Sequence, residues 1–251
     1  MDLMRELPSE CIDLTVTSPP YDNLRTYKGY SFDFNAVSNE LFRITRRGGV
    51  LVWIVNDATI KGSETGTSFK QALHFKDLGF NLHDTMIWIK DGGGAIGSHK
   101  CYTQNFEYMF VLSKGIPKTI NLIYDKENKS FGTTHGKVGR RKPNGEQKLE
   151  ERKSARKFSK RNNWWYCIPG KNCSTKDNEA FKHPAIFPEQ IVNDHIISWS
   201  NEGDIVFDPF VGSGTTAKMA LLNNRHYIGF DISEEYCEIA RARVEKYKQR
   251  E

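Results

Sequence analysis

The sequence lacks the features of a membrane-inserted, secreted or disulfide-stabilised protein. No apolar run in its 251 residues approaches the roughly 20 residues that a transmembrane helix needs. The first ten residues, MDLMRELPSE, contain acids and a proline but no apolar stretch, so we expect no secretory signal. The five cysteines include no pair at C-x-x-C spacing. We therefore expect neither a disulfide framework nor a metal site, and we expect a reducing, cytoplasmic location.

The charges are distributed unevenly along the chain. Hydrophobic residues make up 38% and charged residues 27% of the sequence, as in a globular protein with a core. The net charge is +5, yet residues 114–161 contain 15 Lys and Arg against 5 Asp and Glu, so the rest of the chain is net acidic. This basic segment predicts a surface that faces nucleic-acid phosphates. A solvated insertion without a ligand is the alternative.

Short apolar runs rich in β-branched residues alternate with helical patterns along much of the chain. This alternation predicts an α/β fold with a mostly parallel sheet that is covered by helices on both faces. The predicted strands, all expected to be buried and parallel, are residues 13–17, 50–55, 85–90, 107–112, 204–207 and 226–230. The predicted helices are residues 35–46, 68–78, 188–198 and 215–223, and a last helix that begins after Ser233. The predicted core faces are Val37, Leu41, Phe42 and Ile44 in the first helix and Phe69, Leu73 and Phe75 in the second.

The alternation fails between residues 116 and 163. This stretch is polar, rich in Lys, Arg, Gly and Asn, and has little periodicity, which predicts an inserted loop region or a small subdomain. Residues 91–97, DGGGAIG, lack the G-K-[ST] ending of a phosphate loop, so we expect a connector there. We therefore divide the chain into a first half at 1–115, an insertion at 116–163, and a second half of the same domain at 164–251.

The segment from Asp208 to Thr216, DPFVGSGTT, lies between a predicted strand and a predicted helix. Gly212 and Gly214 would let a ligand approach the backbone, and the helix N-terminus offers free N–H donors. Asp231 ends the next strand about 20 residues later, where an acid commonly holds ribose hydroxyls. A G-x-G alone predicts only a tight turn, but the whole combination favours a nucleoside-type cofactor. The segment has no lysine for phosphates, so the ligand should be less anionic than a dinucleotide.

The segment TSPPY, which begins at Thr17, follows another predicted strand. An ordinary turn that ends the strand is the simplest interpretation. The functional interpretation rests on rigidity, because the two prolines restrict the backbone and have no N–H donors. The hydroxyl of Ser18 and the carbonyl of Pro19 would then accept hydrogen bonds from both N–H groups of an exocyclic amino group. Tyr21 would stack on the base, a contact worth about 1–3 kcal/mol.

These two motifs resemble the catalytic and cofactor motifs of the amino DNA methyltransferases, which methylate N4 of cytosine or N6 of adenine. The order of catalytic motif, basic segment and cofactor motif resembles the β class of that family. The resemblance implies a circularly permuted, Rossmann-like methyltransferase sheet with a target-recognition region at 116–163. Family members usually have a Gly-Asp pair ahead of the catalytic strand, for which Asp2 is the candidate counterpart here. Weaker resemblances are found at residues 47–50, to a glycine turn before a strand; at 105–115, to a strand that leads into the recognition region; and at 164–169 and 183–188, to the approach to the helix before the cofactor motif.

The resemblance implies a site-specific enzyme that uses S-adenosyl-L-methionine to methylate a flipped base in double-stranded DNA. Serine at the first position of the catalytic motif favours cytosine N4 over adenine N6, which is the alternative. Two further functions fit parts of the pattern, namely an inactive DNA-binding module and a methyltransferase of RNA or protein. A cognate restriction endonuclease and a second copy of the chain are candidate partners, and no membrane is expected.

The motifs assign roles to particular residues. For Thr215 and Thr216 helix capping is the alternative, and for His183 it is a structural role before a proline. For Arg25 and Tyr27 the alternative is simple exposure. The expected catalytic residues are Ser18, Pro19, Pro20 and Tyr21. The expected cofactor contacts are Thr17, His183, Asp208, Pro209, Phe210, Gly212, Gly214, Thr215, Thr216 and Asp231. The expected DNA contacts are Arg25, Tyr27, Lys137, Arg140, Arg141, Lys142, Arg156 and Lys157.

Overall fold

The computed structural model describes residues 2–20, 33–90, 102–129, 131–132, 136–151, 155–183 and 186–248. The chain forms two compact units. We call Met1–Asn121 together with Asn163–Glu251 the sheet unit, and Leu122–Asn162 the inserted unit. Of the helices within the described ranges, none has the length and apolar character that would be needed to cross a membrane.

Helices and strands alternate through much of the sheet unit, whereas the described residues of the inserted unit form short strands without a helix. The sheet unit begins with α1 (Asp2–Glu6), β1 (Ile12–Thr17), α2 (Phe34–Ile44), β2 (Thr45–Val55), β3 (Thr59–Ile60), β4 (Ser63–Glu64), α3 (Thr67–Asp77), β5 (Asn81–Ile89) and β6 (Phe106–Ser113). The inserted unit contains β7 (Lys126–Glu127), β8 (Lys137–Arg141), β9 (Gln147–Glu151) and β10 (Phe158–Ser159). The sheet unit continues with β11 (Trp164–Tyr166), a 3-10 helix (Asn178–Lys182), α4 (Glu189–Trp199), β12 (Ile205–Asp208), α5 (Thr215–Leu222), β13 (His226–Gly229) and α6 (Glu234–Lys248).

The main sheet of the sheet unit has seven strands in the order β11-β5-β6-β2-β1-β12-β13. Only β6 opposes the others, because its pairings with β2 and β5 are antiparallel and the remaining pairings are parallel. The prediction of a parallel strand at 107–112 is therefore wrong in direction. The physical reason is that a continuous apolar run indicates a strand buried on both faces but does not indicate whether the strand is parallel or antiparallel to its neighbours. The six parallel strands end at one common edge of the sheet.

The sheet is covered on both faces, as the alternation predicted. Alternate residues of β2 show this, since Val50, Val52 and Ile54 pack on the side of α4 and α5. Leu51, Trp53 and Val55 pack on the opposite side, against α2 and α3. The sheet is thus the middle of three layers, and its strand ends are held rigidly between helices.

Two local predictions need correction. In α3 the buried residues are Ser68, Gln71, Ala72 and Phe75, whereas Phe69 and Leu73 are exposed. The predicted face failed because it followed hydrophobicity alone, while Gln71 is buried to accept a hydrogen bond from Trp53 Nε1 at 2.8 Å. Residues 164–169 do not lead into a helix, since β11 pairs in parallel with β5 at the edge of the sheet.

Candidate active site

The two sequence motifs lie side by side at the carboxyl edge of the sheet. β1 and β12 are neighbouring parallel strands, with Thr15 opposite Phe207. Ser18, Pro19 and Pro20 follow the end of β1. Residues 209–214, which we call the glycine turn, follow the end of β12. Because parallel strands end at the same edge, motifs that are about 190 residues apart in sequence meet there.

Asp208 joins the two motifs through its carboxylate. Thr17 Oγ1 donates to Oδ1 at 2.6 Å, and Thr216 Oγ1 donates to Oδ2 at 2.7 Å. The backbone N–H of Phe210 donates to Oδ1 at 3.0 Å. Burial raises the pKa of Asp208 to about 6, against the effect of these hydrogen bonds. The carboxylate therefore holds the end of β1, the end of β12 and the start of α5 together.

Different neighbours leave no room for a side chain at the two glycines of the turn. Gly212 has φ +47°, and a Cβ there would lie 3.0 Å from His183 Nε2. Gly214 has φ +82°, and a Cβ there would lie 2.8 Å from the backbone of Ala240 in α6. Both backbone conformations disfavour residues with a Cβ. Gly214 thus serves the close approach of α6, while Gly212 keeps His183 against the turn.

Asp231 holds the same turn from the neighbouring strand. The N–H of Gly212 donates to Oδ2 of Asp231 at 3.0 Å, and the N–H of Ser233 donates to Oδ1 at 2.9 Å. Ser233 in turn precedes α6, as predicted. Each carboxylate oxygen has a further lone pair, so a ribose hydroxyl could donate to the half-buried Asp231 as well.

The remaining predicted cofactor contacts surround this turn. Pro209 is buried and Phe210 is half-buried, and His183 packs edge-on against Tyr236 with the ring centres 4.4 Å apart. Thr215 and Thr216 are buried, and their hydroxyls form hydrogen bonds inside the protein. Contact between these side chains and a cofactor stays a prediction.

The structure describes part of the predicted catalytic motif. Ser18 and Pro20 are half-buried and Pro19 is buried. Tyr21, Arg25 and Tyr27 lie outside the described residues, as does the connector at 91–97. Asp2, the candidate counterpart of the family's Gly-Asp acid, lies in α1, where its exposed carboxylate is 3.7 Å from Arg5.

A buried group of four charges behind the glycine turn was missed by the sequence analysis. Arg243 of α6 is fully buried and donates to the backbone oxygen of Ser213 at 2.5 Å. It also donates to Glu189 Oε1 at 2.9 Å and lies 3.3 Å from Asp177 Oδ2. Lys218 of α5 donates to the same two acids, at 2.7 Å each. We call Asp177, Glu189, Lys218 and Arg243 the charge cluster.

The charge cluster is electrically balanced, with two acids and two bases. Burial opposes the charged forms, but hydrogen bonds to Asp177 and Glu189 outweigh it and raise the pKa of Lys218. The hydrogen bonds from Lys218 and Tyr247 likewise lower the pKa of Asp177 despite its burial. A sequence signal existed, because Arg243 falls on the same helical stripe as the buried Tyr236, Ile239 and Ala240.

Further polar residues lie at the same edge beyond β1. Asn56 follows β2, and its Nδ2 donates to the backbone oxygen of Phe106 at 3.0 Å. Gln104 donates to Asn56 Oδ1 at 3.0 Å. Lys90 at the end of β5 forms a partly buried ion pair with Glu107 at the start of β6. These side chains extend the polar edge of the sheet from the glycine turn past the end of β1.

The predicted DNA contacts that the structure describes are exposed residues of the inserted unit. Lys137, Arg140 and Arg141 belong to β8 and Lys142 follows it, while Arg156 lies close before β10. Lys157 Nζ lies 5.3 Å from the ring centre of Phe158. The predicted residues are thus placed on an accessible, basic surface.

A covered parallel sheet with one reversed strand, and with a glycine turn beside a Ser-Pro-Pro turn at its carboxyl edge, defines a Rossmann-like methyltransferase. Residues 12–242 match the model of the N6 and N4 methyltransferase family, described as DNA methylase. The chain belongs to this family and to its β class, in which the catalytic motif precedes the cofactor motif. It is a site-specific DNA methyltransferase, and S-adenosyl-L-methionine is its cofactor.

Individual relatives agree with this assignment. The chain is 58% identical over 247 residues to the orphan methyltransferase M.BamHII of Bacillus amyloliquefaciens, covering 97% of this chain and 93% of that protein. The fold is similar to that of the cytosine-N4-specific PvuII DNA methyltransferase, with a TM-score of 0.69, 19% identity, and coverage of 98% of this chain and 86% of that one. A DNA modification methylase from Thermus thermophilus, solved with S-adenosyl-L-methionine, has a TM-score of 0.63, 22% identity, and coverage of 98% and 90%.

Proposed function

We propose that the protein methylates the exocyclic N4 of a flipped cytosine in double-stranded DNA. The observation that supports this proposal most directly is the hydrogen bond from Thr17 to Asp208, at 2.6 Å. It joins the Ser-Pro-Pro turn to the glycine turn, so that a base at the first and a cofactor at the second are neighbours. A reaction between two bound molecules gains most from such fixed geometry.

The glycine turn fits S-adenosyl-L-methionine. Asp231 lies at the end of the strand next to the turn, where it would hold the ribose hydroxyls. The first turn of α5 and the imidazole of His183 would face the methionine end. When bound, the cofactor supplies a methyl group on a sulfonium, which is already activated for attack. The protein itself therefore has to position the amine.

Ser18 and Pro19 would prepare the amino nitrogen. The nitrogen is a poor nucleophile because its lone pair is delocalised into the ring. The Ser18 hydroxyl and the Pro19 carbonyl would accept hydrogen bonds from its two N–H groups. The nitrogen would then move towards tetrahedral geometry, and its lone pair would become available. The nitrogen would then accept the methyl group that the bound cofactor supplies and release one proton to solvent. Tyr21 would stack on the base and hold it outside the duplex.

A covalent intermediate through cysteine is not required by this scheme. Cys11 directly precedes β1 and so lies at the opposite end of that strand from Ser18. Burial raises the pKa of Cys11 and of Cys237 in α6, which disfavours the nucleophilic thiolate. Neither of these two cysteines therefore suits the role of the nucleophile that an enzyme methylating C5 of cytosine needs.

Adenine N6 is the second candidate, because both bases present an amino group beside a ring nitrogen. Serine in the catalytic motif and the fold shared with a cytosine-N4-specific enzyme favour cytosine. The name of the 58% identical relative, an orphan methyltransferase, favours a protein that works without a cognate endonuclease. A homodimer stays a prediction.

Digestion of methylated DNA to nucleosides tests the proposal. The protein would be incubated with unmethylated duplex DNA and cofactor labelled on the methyl group, and N4-methylcytosine is the expected product. N6-methyladenine as the only product would overturn the choice of base. Ser18→Ala should reduce turnover by about 100-fold or more with an unchanged cofactor Kd, by loss of a positioned acceptor. Ser9→Ala, at an exposed serine before β1, is the matched control and should leave both unchanged.

A further inference from the structure

The β8–β9 hairpin of the inserted unit has the form of a nucleic-acid reading element. Five residue pairs join the two strands in antiparallel register, from Lys137 with Glu151 to Arg141 with Gln147. Residues 139–149 are all exposed, including the turn between the strands. A two-stranded β-ribbon of this kind fits the major groove of B-DNA, which is about 12 Å wide. The hairpin is therefore free to enter a groove with either of its faces.

The two faces of the hairpin have different chemistry. Residues that pair across the strands share a face, and successive residues alternate between faces. One face contains the pairs Arg141 with Gln147 and Gly139 with Leu149 near the tip, and Lys137 with Glu151 at the far end of the hairpin. A Cβ on Gly139 would lie 3.6 Å from Gln147 Oε1, which shows that the Gln147 side chain lies along this face. We call Arg141, Gln147 and Leu149 the reading face.

The opposite face has a pair of cationic side chains next to the tip of the hairpin. Arg140 is paired with Lys148 there. Both interact with Glu150, at 3.7 Å and 3.3 Å respectively, and both side chains are more than half exposed. Such exposed ion pairs are weak, so DNA phosphates can replace Glu150 as their partner. We call Arg140 and Lys148 the backbone face.

The reading face carries the side chains that distinguish bases. Arginine donates two hydrogen bonds to guanine O6 and N7, and glutamine pairs with adenine N6 and N7. Leu149 is 66% exposed and offers an apolar contact for a thymine methyl group. Gly139 opposite Leu149 has no side chain that would keep the ribbon from the base edges. Within the part of the chain that the structure describes, Arg141 has no ion pair that would compete.

We propose that the hairpin enters the major groove with the reading face towards the base edges, so that Arg141 and Gln147 determine the methylated sequence. This inference rests on the proposed function, since it concerns the DNA that the enzyme methylates. The backbone face then points out of the groove, which is about 8.5 Å deep, and its long side chains reach the phosphates along the rims. Arg140 and Lys148 supply affinity without sequence information.

Matched substitutions on the two faces separate these roles. Wild-type protein, Arg141→Ala, Gln147→Ala and Lys148→Ala would each be produced in a bacterial host without DNA methylation, and the host DNA would be sequenced for modified bases. Arg141→Ala and Gln147→Ala should each relax one position of the recognised sequence, lowering discrimination there by about 10- to 100-fold. Lys148→Ala should keep the sequence and weaken binding to all DNA, with a log–log salt slope smaller by about 0.9.

Arg141→Lys adds a variant that keeps the charge. Because lysine lacks the planar fork of arginine, this variant should retain the salt slope yet relax the sequence. Unchanged recognition in Arg141→Ala and Gln147→Ala, or altered recognition in Lys148→Ala, would overturn the hairpin assignment while the methylation itself stands. A wild-type protein that leaves the host DNA unmodified, and methylates RNA or protein instead, would refute the proposed function and the hairpin assignment with it.

Discussion

The sheet unit and the inserted unit obtain their shapes in different ways. In the sheet unit, two apolar layers enclose seven strands, and side chains such as Trp53 and Phe75 have no exposed surface. Among the described residues of the inserted unit, none is buried. Its form comes from backbone pairing in β7–β10 and β8–β9. Burial thus holds the predicted site in place, while the inserted unit, for which we propose the DNA contacts, is left able to adapt to a partner.

The charges of the two units differ in the same way. Those of the charge cluster are buried and paired with one another, so they hold the glycine turn. In the inserted unit, Asp125 and Arg161 pair at the partly exposed base, where the N–H of Arg161 also donates to the backbone oxygen of Ile123 at 2.9 Å. The other basic residues that the structure describes in this unit are exposed and suit an exchange of partners.

Excision of the inserted unit tests whether the two units are independent, and it has the largest expected effect. Residues 126–160 would be replaced by a short Gly-Ser linker, which keeps the Asp125–Arg161 pair at its base. We expect loss of sequence-specific DNA binding in gel shifts, because most of the basic residues are removed. The cofactor Kd from calorimetry should change less than about twofold, a free-energy difference of about 0.4 kcal/mol. If the deletion variant still methylates the same DNA sequence, the inserted unit does not recognise that sequence.

Substitution of Arg243 tests the role of buried charge in the sheet unit. Arg243→Met would leave Asp177 and Glu189 short of a partner, and we expect about 3–5 kcal/mol less stability in denaturant unfolding. Cofactor affinity should fall as well, because the Ser213 carbonyl loses its donor. Arg243→Lys should restore stability in part but not the contacts of the guanidinium fork.

Arg241 of the same helix provides the control for that experiment. Its side chain is 70% exposed and pairs with Glu234 at 2.9 Å. Arg241→Met should leave unfolding and cofactor binding unchanged. Equal effects of the two substitutions would show that the charge cluster does not position the turn.

The pH dependence of stability gives the smallest expected effect and has opposite signs in the two units. Asp208 has a pKa of about 6 in the folded protein, against an ordinary value of 3.8, so the folded state binds its proton more tightly. Stability from this residue is therefore lost as pH rises from about 4 to 6, by about 3 kcal/mol in total. Hydrogen bonds from Arg161 lower the pKa of Asp125, whose contribution is instead lost as pH falls below its ordinary value.

Denaturant unfolding of wild type and Asp208→Asn at pH 4, 5 and 6 measures this contribution. The stability of wild type relative to the variant should decline as pH rises, because asparagine does not titrate. A difference between the two proteins that stays constant over this range would contradict the raised pKa of Asp208.

Much of the site could be predicted because its signals are local in sequence. Strand, turn and helix are each encoded by neighbouring residues, so the alternation placed the segments after β1 and β12 at strand ends. Parallel strands ending at one edge then follow from fold geometry. The hydrogen bonds to Asp231 were not predicted. The sequence indicated a ligand for that carboxylate, whereas the structure shows that the backbone N–H groups of Gly212 and Ser233 donate to it.

The fold class, the two motifs and the basic insertion follow from the amino-acid sequence alone, because periodicity, turn residues and charge are properties of short segments. The direction of β6, the hydrogen bond from Thr17 to Asp208 and the burial of Arg243 under the glycine turn became visible in the folded chain. These features depend on contacts between segments far apart in the chain, and no local pattern records which distant partner satisfies a buried polar group.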